Sequence, residues 1–409
     1  MAIAAISPDE MTARGELFHP GRHEPLAGGA WDADVARRAI EAIVARTEDA
    51  FDAEGLWPAH PQDLEDGPLP RVASLYLGAA GVVWALHELE RLGAAELRRG
   101  WEDVAAGLPD AYRSSPDYQD MVDGPVPSLW NGEAGILLVA LGLAPTEEQE
   151  RRLLAAIEAN VDNPTRELMW GSPGTMLAAQ VMHERTGDDT WLDAWNASAA
   201  VLWDAWEGDV WQQDLYGSAL HILGPAHGFA GNVLVLARGA ALDPARRSEL
   251  ERRAVSALAR HAIRADGLAQ WPPSLEPSSQ EGRTQWCHGA PGIVASCATL
   301  APGDDELDEL LLAGGELTWR AGPLRKGANL CHGTAGNGYA FLKLFQRTGD
   351  ELWLERSRAF AMHAVGQVEQ ALAEHGRGRH TLWTGDPGTA LYLESCLAGT
   401  AAVPTLDRF

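Results

Sequence analysis

A short pattern, Gly-x-x-Gly followed by an apolar run, recurs seven times along the chain, and this repetition restricts the possible folds more than any other feature. The first glycines are Gly78, Gly132, Gly171, Gly228, Gly289, Gly333 and Gly385. The second glycines, from Gly81 to Gly388, open segments such as VVWAL, ILLVAL and YAFLKLF, apolar nearly all round as buried helices are. Ahead of each pair lies a more polar stretch with apolar residues at helical spacing, the pattern of a half-solvated outer helix. These outer helices are expected to begin near Asp32, Glu96, Glu147, Thr190, Pro244, Asp304 and Glu351. Seven outer and seven inner helices in alternation predict an all-α fold: an α/α toroid (barrel) of seven helical hairpins with the buried helices innermost. A ring of six hairpins is the near alternative. The repeats stand 39 to 61 residues apart, too irregular for an open solenoid of one unit, which favours closure into one domain.

The glycines have a physical role in such a ring, since an inner helix entering a crowded interior needs a tight turn and a close backbone approach that a side chain would obstruct. Amide-rich inner-helix N-termini gathered at one end would favour anions there. Two connections are almost identical: Arg185 to Leu192 reads RTGDDTWL and Arg347 to Leu354 reads RTGDELWL. Glycine there is suited to end one helix in the left-handed conformation and aspartate to cap the next. Residues 1–30, rich in Pro, Gly and His without periodicity, are expected to form an N-terminal arm over the ring, and 31–409 the single toroid. Loops are expected from Trp57 to Arg71, Gly267 to Arg283 and Gly322 to Lys326.

At 409 residues, with 46% hydrophobic and 22% charged side chains, the chain can bury a large core. Its 32 basic and 58 acidic residues give a formal charge of -26, which repels a phosphate backbone, and no Lys/Arg run offsets it. Nucleic acid is therefore not an expected partner. Met1 to Ile6 lacks a signal-peptide pattern, and nowhere do about 18 uncharged apolar residues follow one another, so a cytoplasmic protein without membrane insertion is expected. A monomer is the default expectation. Four cysteines in so long a chain are no disulfide framework, and a reducing compartment leaves metal or nucleophile roles.

Two of the seven repeats carry a cysteine just before the first glycine: Trp286-Cys287-His288-Gly289 and Leu330-Cys331-His332-Gly333. Thiolates with one imidazole suit zinc by softness and geometry, and three protein ligands leave a fourth position for water or substrate, the catalytic pattern. A lone cysteine on an inner helix is ordinarily a small buried hydrophobe, the reading kept for Cys297 and Cys396. Two Cys-His-Gly elements at one repeat phase are different. The residues alone leave open whether His288 or His332 is the third ligand.

The segments WCHGAPG and CHGTAGNGYAFL resemble the signatures of the lanthipeptide cyclase, or LanC-like (lanthionine synthetase C-like), family, and the likeness spans roughly Asp32 to Phe409. That resemblance implies one Zn2+ per chain held by Cys287, Cys331 and His332, with His288 as a nearby donor or proton shuttle. It further implies catalytic roles for His227 in AHGFAG, Arg283 in RTQWC and Glu167 in ELMWG. The acid departs from the aspartate typical of bacterial ring-forming cyclases, and glutamate resembles the stand-alone members. Lys326, with Arg325, matches a lysine implicated there in glutathione or phosphate recognition.

The implied reaction is thioether formation by thiol addition to dehydroalanine or dehydrobutyrine in a dehydrated peptide or protein. Zinc would deprotonate and position the thiol. Arg283 would stabilise the enolate, His227 would protonate the α-carbon and Glu167 would orient the imidazole. Glutathione addition by a stand-alone enzyme is favoured over intramolecular lanthionine ring formation in a precursor peptide, because the basic pair suits an anionic thiol. Other classes remain as alternatives: a glycoside hydrolase of the same fold, with Glu133 and Asp386 as the carboxylates in phase, and a non-catalytic zinc- or peptide-binding protein.

Overall fold

The computed structural model describes residues 17–63, 71–118, 124–239, 242–277 and 282–409. Part of the expected arm and parts of the loops at 57–71 and 267–283 lie outside the described residues.

Among the described residues, fourteen α-helices alternate in character along the chain. The outer set is α1 (Ala33–Asp49), α3 (Glu102–Ser114), α5 (Glu147–Ala159), α7 (Asp189–Asp204), α9 (Pro244–His261), α11 (Asp305–Ala321) and α13 (Glu351–His375). The inner set is α2 (Ala79–Arg91), α4 (Glu133–Leu143), α6 (Ser172–Thr186), α8 (Phe229–Arg238), α10 (Ala290–Cys297), α12 (Thr334–Thr348) and α14 (Asp386–Ala398). Every inner helix begins immediately after the first glycine of a repeat, which serves as its N-cap. The helix α3 starts later than expected from Glu96. Arg98 holds the preceding segment against α1 through Glu48 and Asp49, so the chain turns inward at Trp101 before the helix begins.

Each inner helix packs against the next, and α14 packs in turn against α2, so the contacts close into a cycle of seven. The second glycines explain how the helices come so near. A methyl group on Gly135 would meet the Leu75 side chain of the preceding repeat, one on Gly388 would meet Leu330, and one on Gly81 would meet Leu382 of the last repeat. The same substituent would strike the carbonyl six residues upstream in its own repeat. The first outer helix, α1, has its main partner at the other end of the chain, α14, so the ring is completed by chain ends distant in sequence.

The connections RTGDDTWL and RTGDELWL behave as their residues predict. Gly187 (φ 69°) and Gly349 (φ 70°) end α6 and α12 in the left-handed region, and the carboxylates of Asp188 and Asp350 accept the N–H groups of Thr190 and Leu352.

Helical periodicity does not anticipate two β-hairpins at the ring's mouth. Strands β1 (Gln213–Leu215) and β2 (Ser218–Leu220) turn at Tyr216-Gly217, and β3 (Ile263–Ala265) and β4 (Leu268–Gln270) turn at Asp266-Gly267. Strands of three residues are too short to produce an alternation that stands out from a loop. The second hairpin occupies the start of the segment expected to be a loop from Gly267.

Residues 17–30 of the expected arm lie against the rim. His23 bridges to Leu324, the Glu24 N–H donates to the Pro323 carbonyl, and the Ala27 N–H donates to His363 Nδ1. The C-terminal segment enters the ring from the opposite end: Thr405 accepts from the Trp130 indole, Lys343 of α12 pairs with Asp407 at 2.9 Å, and Phe409 packs on Trp84 of α2. No helix among the described residues is long and apolar enough to cross a membrane.

A test of the glycine packing compares two alanine substitutions in urea denaturation. Gly81→Ala, which drives Cβ into backbone and Leu382, is expected to lose about 2–3 kcal/mol. Gly366→Ala on the exposed side of α13, where the new methyl meets nothing, is expected to gain about 0.5–1 kcal/mol. Equal effects would mean that the inner helices can separate without loss.

Candidate active site

The loops that lead into the inner helices meet at one rim and are tied together through their backbones. The Cys287 N–H donates to the Cys331 carbonyl, Cys331 to Trp383, Trp383 to Tyr76 and Tyr76 to Trp130. All five residues stand two positions before a repeat glycine, so the circuit places the cysteines of neighbouring repeats side by side. One position further on, consecutive repeats contribute His227, His288 and His332. Gly289 has φ 92°, unlike the other six N-cap glycines, and a Cβ there would meet the Arg283 carbonyl and the Gln270 side chain. That left-handed residue permits a tight turn in which Gln285 and His288 exchange backbone hydrogen bonds, and the turn folds the Gln285 amide back to 2.9 Å from Cys287 Sγ.

Both thiols are buried, and each acts on the other. Interaction with Cys331 lowers the Cys287 pKa against the opposing effect of burial, helped by Gln285, His227 and Arg283. The same interaction and burial push Cys331 well above the ordinary thiol value. Of the two, Cys287 is the thiol that ionises more readily. Burial drives His288 well below the usual imidazole value and His332 to about 3, so both are neutral and able to offer a lone pair. His288 Nδ1 is buried without a hydrogen-bond partner among the described residues. By chemistry this donor set, two thiols with a neutral imidazole, fits a zinc ion. Its side chains are not drawn together as ligands: among the described residues no three of His, Cys, Asp and Glu converge in a formed metal site.

Across the mouth, Glu167 is fully buried ahead of α6 and accepts from the Met169 and Trp170 N–H groups at 2.9 and 2.7 Å. Its Oε2 lies 3.0 Å from His227 Nδ1. Burial favours neutral His227, but the Glu167 hydrogen bond and the charges of Glu167 and Cys287 outweigh it and hold the pKa above the ordinary value. With Nδ1–H donated to a carboxylate, Nε2 is left for chemistry.

Arg283 is half-buried, its Nε lacks a partner among the described residues, and its charge bears on Cys287, His288 and His332. Lys326 is exposed, yet its charge reaches Cys331 and His332. Arg325 is placed differently. Its Nε–H donates to the His23 carbonyl at 2.8 Å, so its guanidinium grips the arm.

Four neighbours of the site are not singled out by sequence reasoning. Arg22, on the arm, donates to Gln285 Oε1 at 3.1 Å, and Gln285 in turn donates to Cys287. Tyr76 acts on the Cys331 thiol, and Tyr216 stands over His227. Repeat phase could have found Tyr76, which occupies the cysteine position of the first repeat. Nothing in the sequence connects Arg22 to Gln285 across 263 residues. Cys297 and Cys396 are buried away from the rim, with burial pushing each thiol up to about 12.

Glu167→Gln tests the pairing. The neutral amide would leave the His227 ring and two backbone donors poorly matched, at an expected cost of about 2–4 kcal/mol near pH 5.5. A histidine pKa raised by folding stabilises fully below the unfolded value and loses that contribution as pH rises through the folded value, so the cost should shrink by about pH 8.5. NMR titration should show the His227 pKa moving down in the variant. An equal stability gap at both pH values, with an unmoved titration, would refute the pairing.

Comparison with known proteins gives the family and the fold. A profile for "Lanthionine synthetase C-like protein" matches residues 62–407. "LanC-like protein GCL1" from Arabidopsis thaliana is 36% identical over 94 residues, 22% of this chain and 22% of that protein. "Glutathione S-transferase LANCL1" from Danio rerio is 38% identical over 117 residues, 28% of this chain and 26% of that protein. The aligned stretches thus span about a quarter of these relatives' length. Among solved structures, "Nisin cyclase" superposes with a TM-score of 0.59 over 89% of this chain and 94% of its own, at 15% identity, a likeness of fold. The chain belongs to the lanthionine synthetase C-like family.

Proposed function

We propose that this protein is an enzyme that adds a thiol to dehydroalanine or dehydrobutyrine in a peptide or protein, using one zinc ion held by Cys287, Cys331 and His332. The observation that carries this reading is a pair of buried thiols, set side by side by the Cys287 N–H to Cys331 carbonyl bond, sharing one rim with an imidazole braced by a buried carboxylate. Two relatives bear names of matching chemistry, a glutathione S-transferase and a nisin cyclase.

When bound, zinc supplies deprotonation and orientation of the incoming thiol near neutral pH. The remaining work falls to side chains. As sulfur bonds to the β-carbon, the π pair moves toward the neighbouring amide oxygen, where Arg283 offers a cation in a poorly solvated setting. His227 delivers a proton from Nε2 to the α-carbon while Glu167 keeps Nδ1–H fixed. The net change is addition of S–H across C=C, with no leaving group. The positive charges of Arg22, Arg283 and Lys326 around the thiols suit an anionic thiol in a chain whose formal charge is -26, which favours glutathione over a cysteine of the dehydrated peptide itself. The glycosidase reading loses its carboxylates to other partners. Glu133 is held at 2.7 Å by both Arg113 and Arg152, and Asp386 accepts from the Arg379 N–H.

The test combines metal analysis with mass spectrometry of a dehydroalanine peptide incubated with glutathione. About one zinc per chain and a glutathione adduct are expected, with both lost in Cys331→Ala. His332→Ala is expected to lose the metal and His288→Ala to retain it, whereas the reverse would make His288 the third ligand. His227→Ala should retain zinc and slow the reaction about 10²–10⁴-fold. Zinc without adduct would turn the reading toward cyclisation of a dedicated peptide or a binding role, and a metal-free protein would overturn the zinc assignment.

A further inference from the structure

We propose that Tyr216 is a specificity-determining residue that fixes how the dehydrated residue lies over His227, and hence which face of its α-carbon receives the proton. This rests on the thiol-addition reading above.

The hairpin turn itself points to a side-chain role. Both central residues lie in the left-handed region, Tyr216 at φ 52° and Gly217 at φ 76°, the pattern that Asn-Gly or Asp-Gly ordinarily fills. The second hairpin uses that ordinary solution at the same two positions, Asp266 at φ 51° and Gly267 at φ 75°. Tyrosine is a strained choice for the backbone, and no core contact accounts for it: the residue is 62% exposed, the most exposed large hydrophobic side chain described.

Its ring nevertheless has a defined place. It stands edge-to-face with His227, centroids 6.2 Å apart at 71°, and its hydroxyl accepts from the Trp170 indole N–H at 3.2 Å. The Trp170 backbone N–H is bound to Glu167, which holds His227, so Tyr216 joins a loop of contacts around the imidazole. The hairpin is anchored on the segment that carries Glu167, through the Asp214 N–H to the Pro164 carbonyl and Arg166 to the Gln212 carbonyl. Accepting from Trp170 leaves the hydroxyl's own proton free to donate to a substrate amide.

A dehydroamino acid is flat and conjugated with its flanking amides, so it presents two faces that differ little in shape. An aromatic wall beside the proton donor distinguishes them, because the flat residue lies against the ring and its carbonyl meets the hydroxyl.

The experiment uses the full chain with zinc, glutathione and a peptide carrying one dehydrobutyrine, and compares wild type with Tyr216→Phe and Tyr216→Gly. Product diastereomers, kcat, KM and thermal midpoint are read together. Wild type is expected to give one α-carbon configuration. Tyr216→Gly is expected to melt no lower than wild type, since glycine relieves the turn, yet to release a mixture of α-epimers with KM raised about tenfold. Tyr216→Phe should keep the configuration and raise KM several-fold. An active wild type alongside a Gly variant with the same single product and the same KM would overturn the role of Tyr216 alone. A wild type that forms no adduct would instead remove the underlying reaction, and this proposal with it.

Discussion

The inner helices touch where each second glycine meets the preceding repeat, and the site depends on that close approach. Gly81 against Leu382 is one of the contacts that turn a row of helices into a ring, since it joins the first repeat to the last. With the ring closed, the loops ahead of the inner helices are pressed together at one rim, and their backbones pair from Cys287 through Cys331, Trp383 and Tyr76 to Trp130. A larger residue at any of these glycines would separate the loops and, with them, the two thiols. The C-terminal segment fills the interior from the other end, with Thr405 reaching the Trp130 indole, so the rim becomes the mouth of a cup.

The mouth is electrically divided. On one side stand two thiols, of which Cys287 has its pKa lowered, within reach of the charges of Arg22, Arg283 and Lys326. On the other, Glu167 raises the His227 pKa against the pull of burial. Under the proposed reaction, the thiol side delivers sulfur to one carbon of the acceptor and His227 delivers a proton to the next. His288 and His332 are kept neutral by burial, so neither adds a further positive charge to those of Arg22, Arg283 and Lys326.

The sequence alone determined the sevenfold alternation, the glycine caps of the inner helices, the Gly-Asp helix junctions and the pairing of two Cys-His-Gly elements at one phase. These are local or periodic properties: a left-handed residue, an N-cap or an apolar face is written into a few neighbouring side chains. The late start of α3 was not legible, because it depends on Arg98 binding α1 some fifty residues earlier in the chain. The hairpins escaped for the related reason that three-residue strands leave no period to read.

Only the tertiary structure decided which groups surround the thiols. It brought Arg22 of the arm to Gln285, set Arg325 on the arm's backbone rather than over the thiols, and placed Tyr216 above His227. Repeat phase could say that Cys287, Cys331 and the three histidines share a rim, because each follows the same turn into an inner helix. It could not say what leans over that rim from outside, since arms and hairpin tips follow no period and their positions are set by long-range hydrogen bonds and packing.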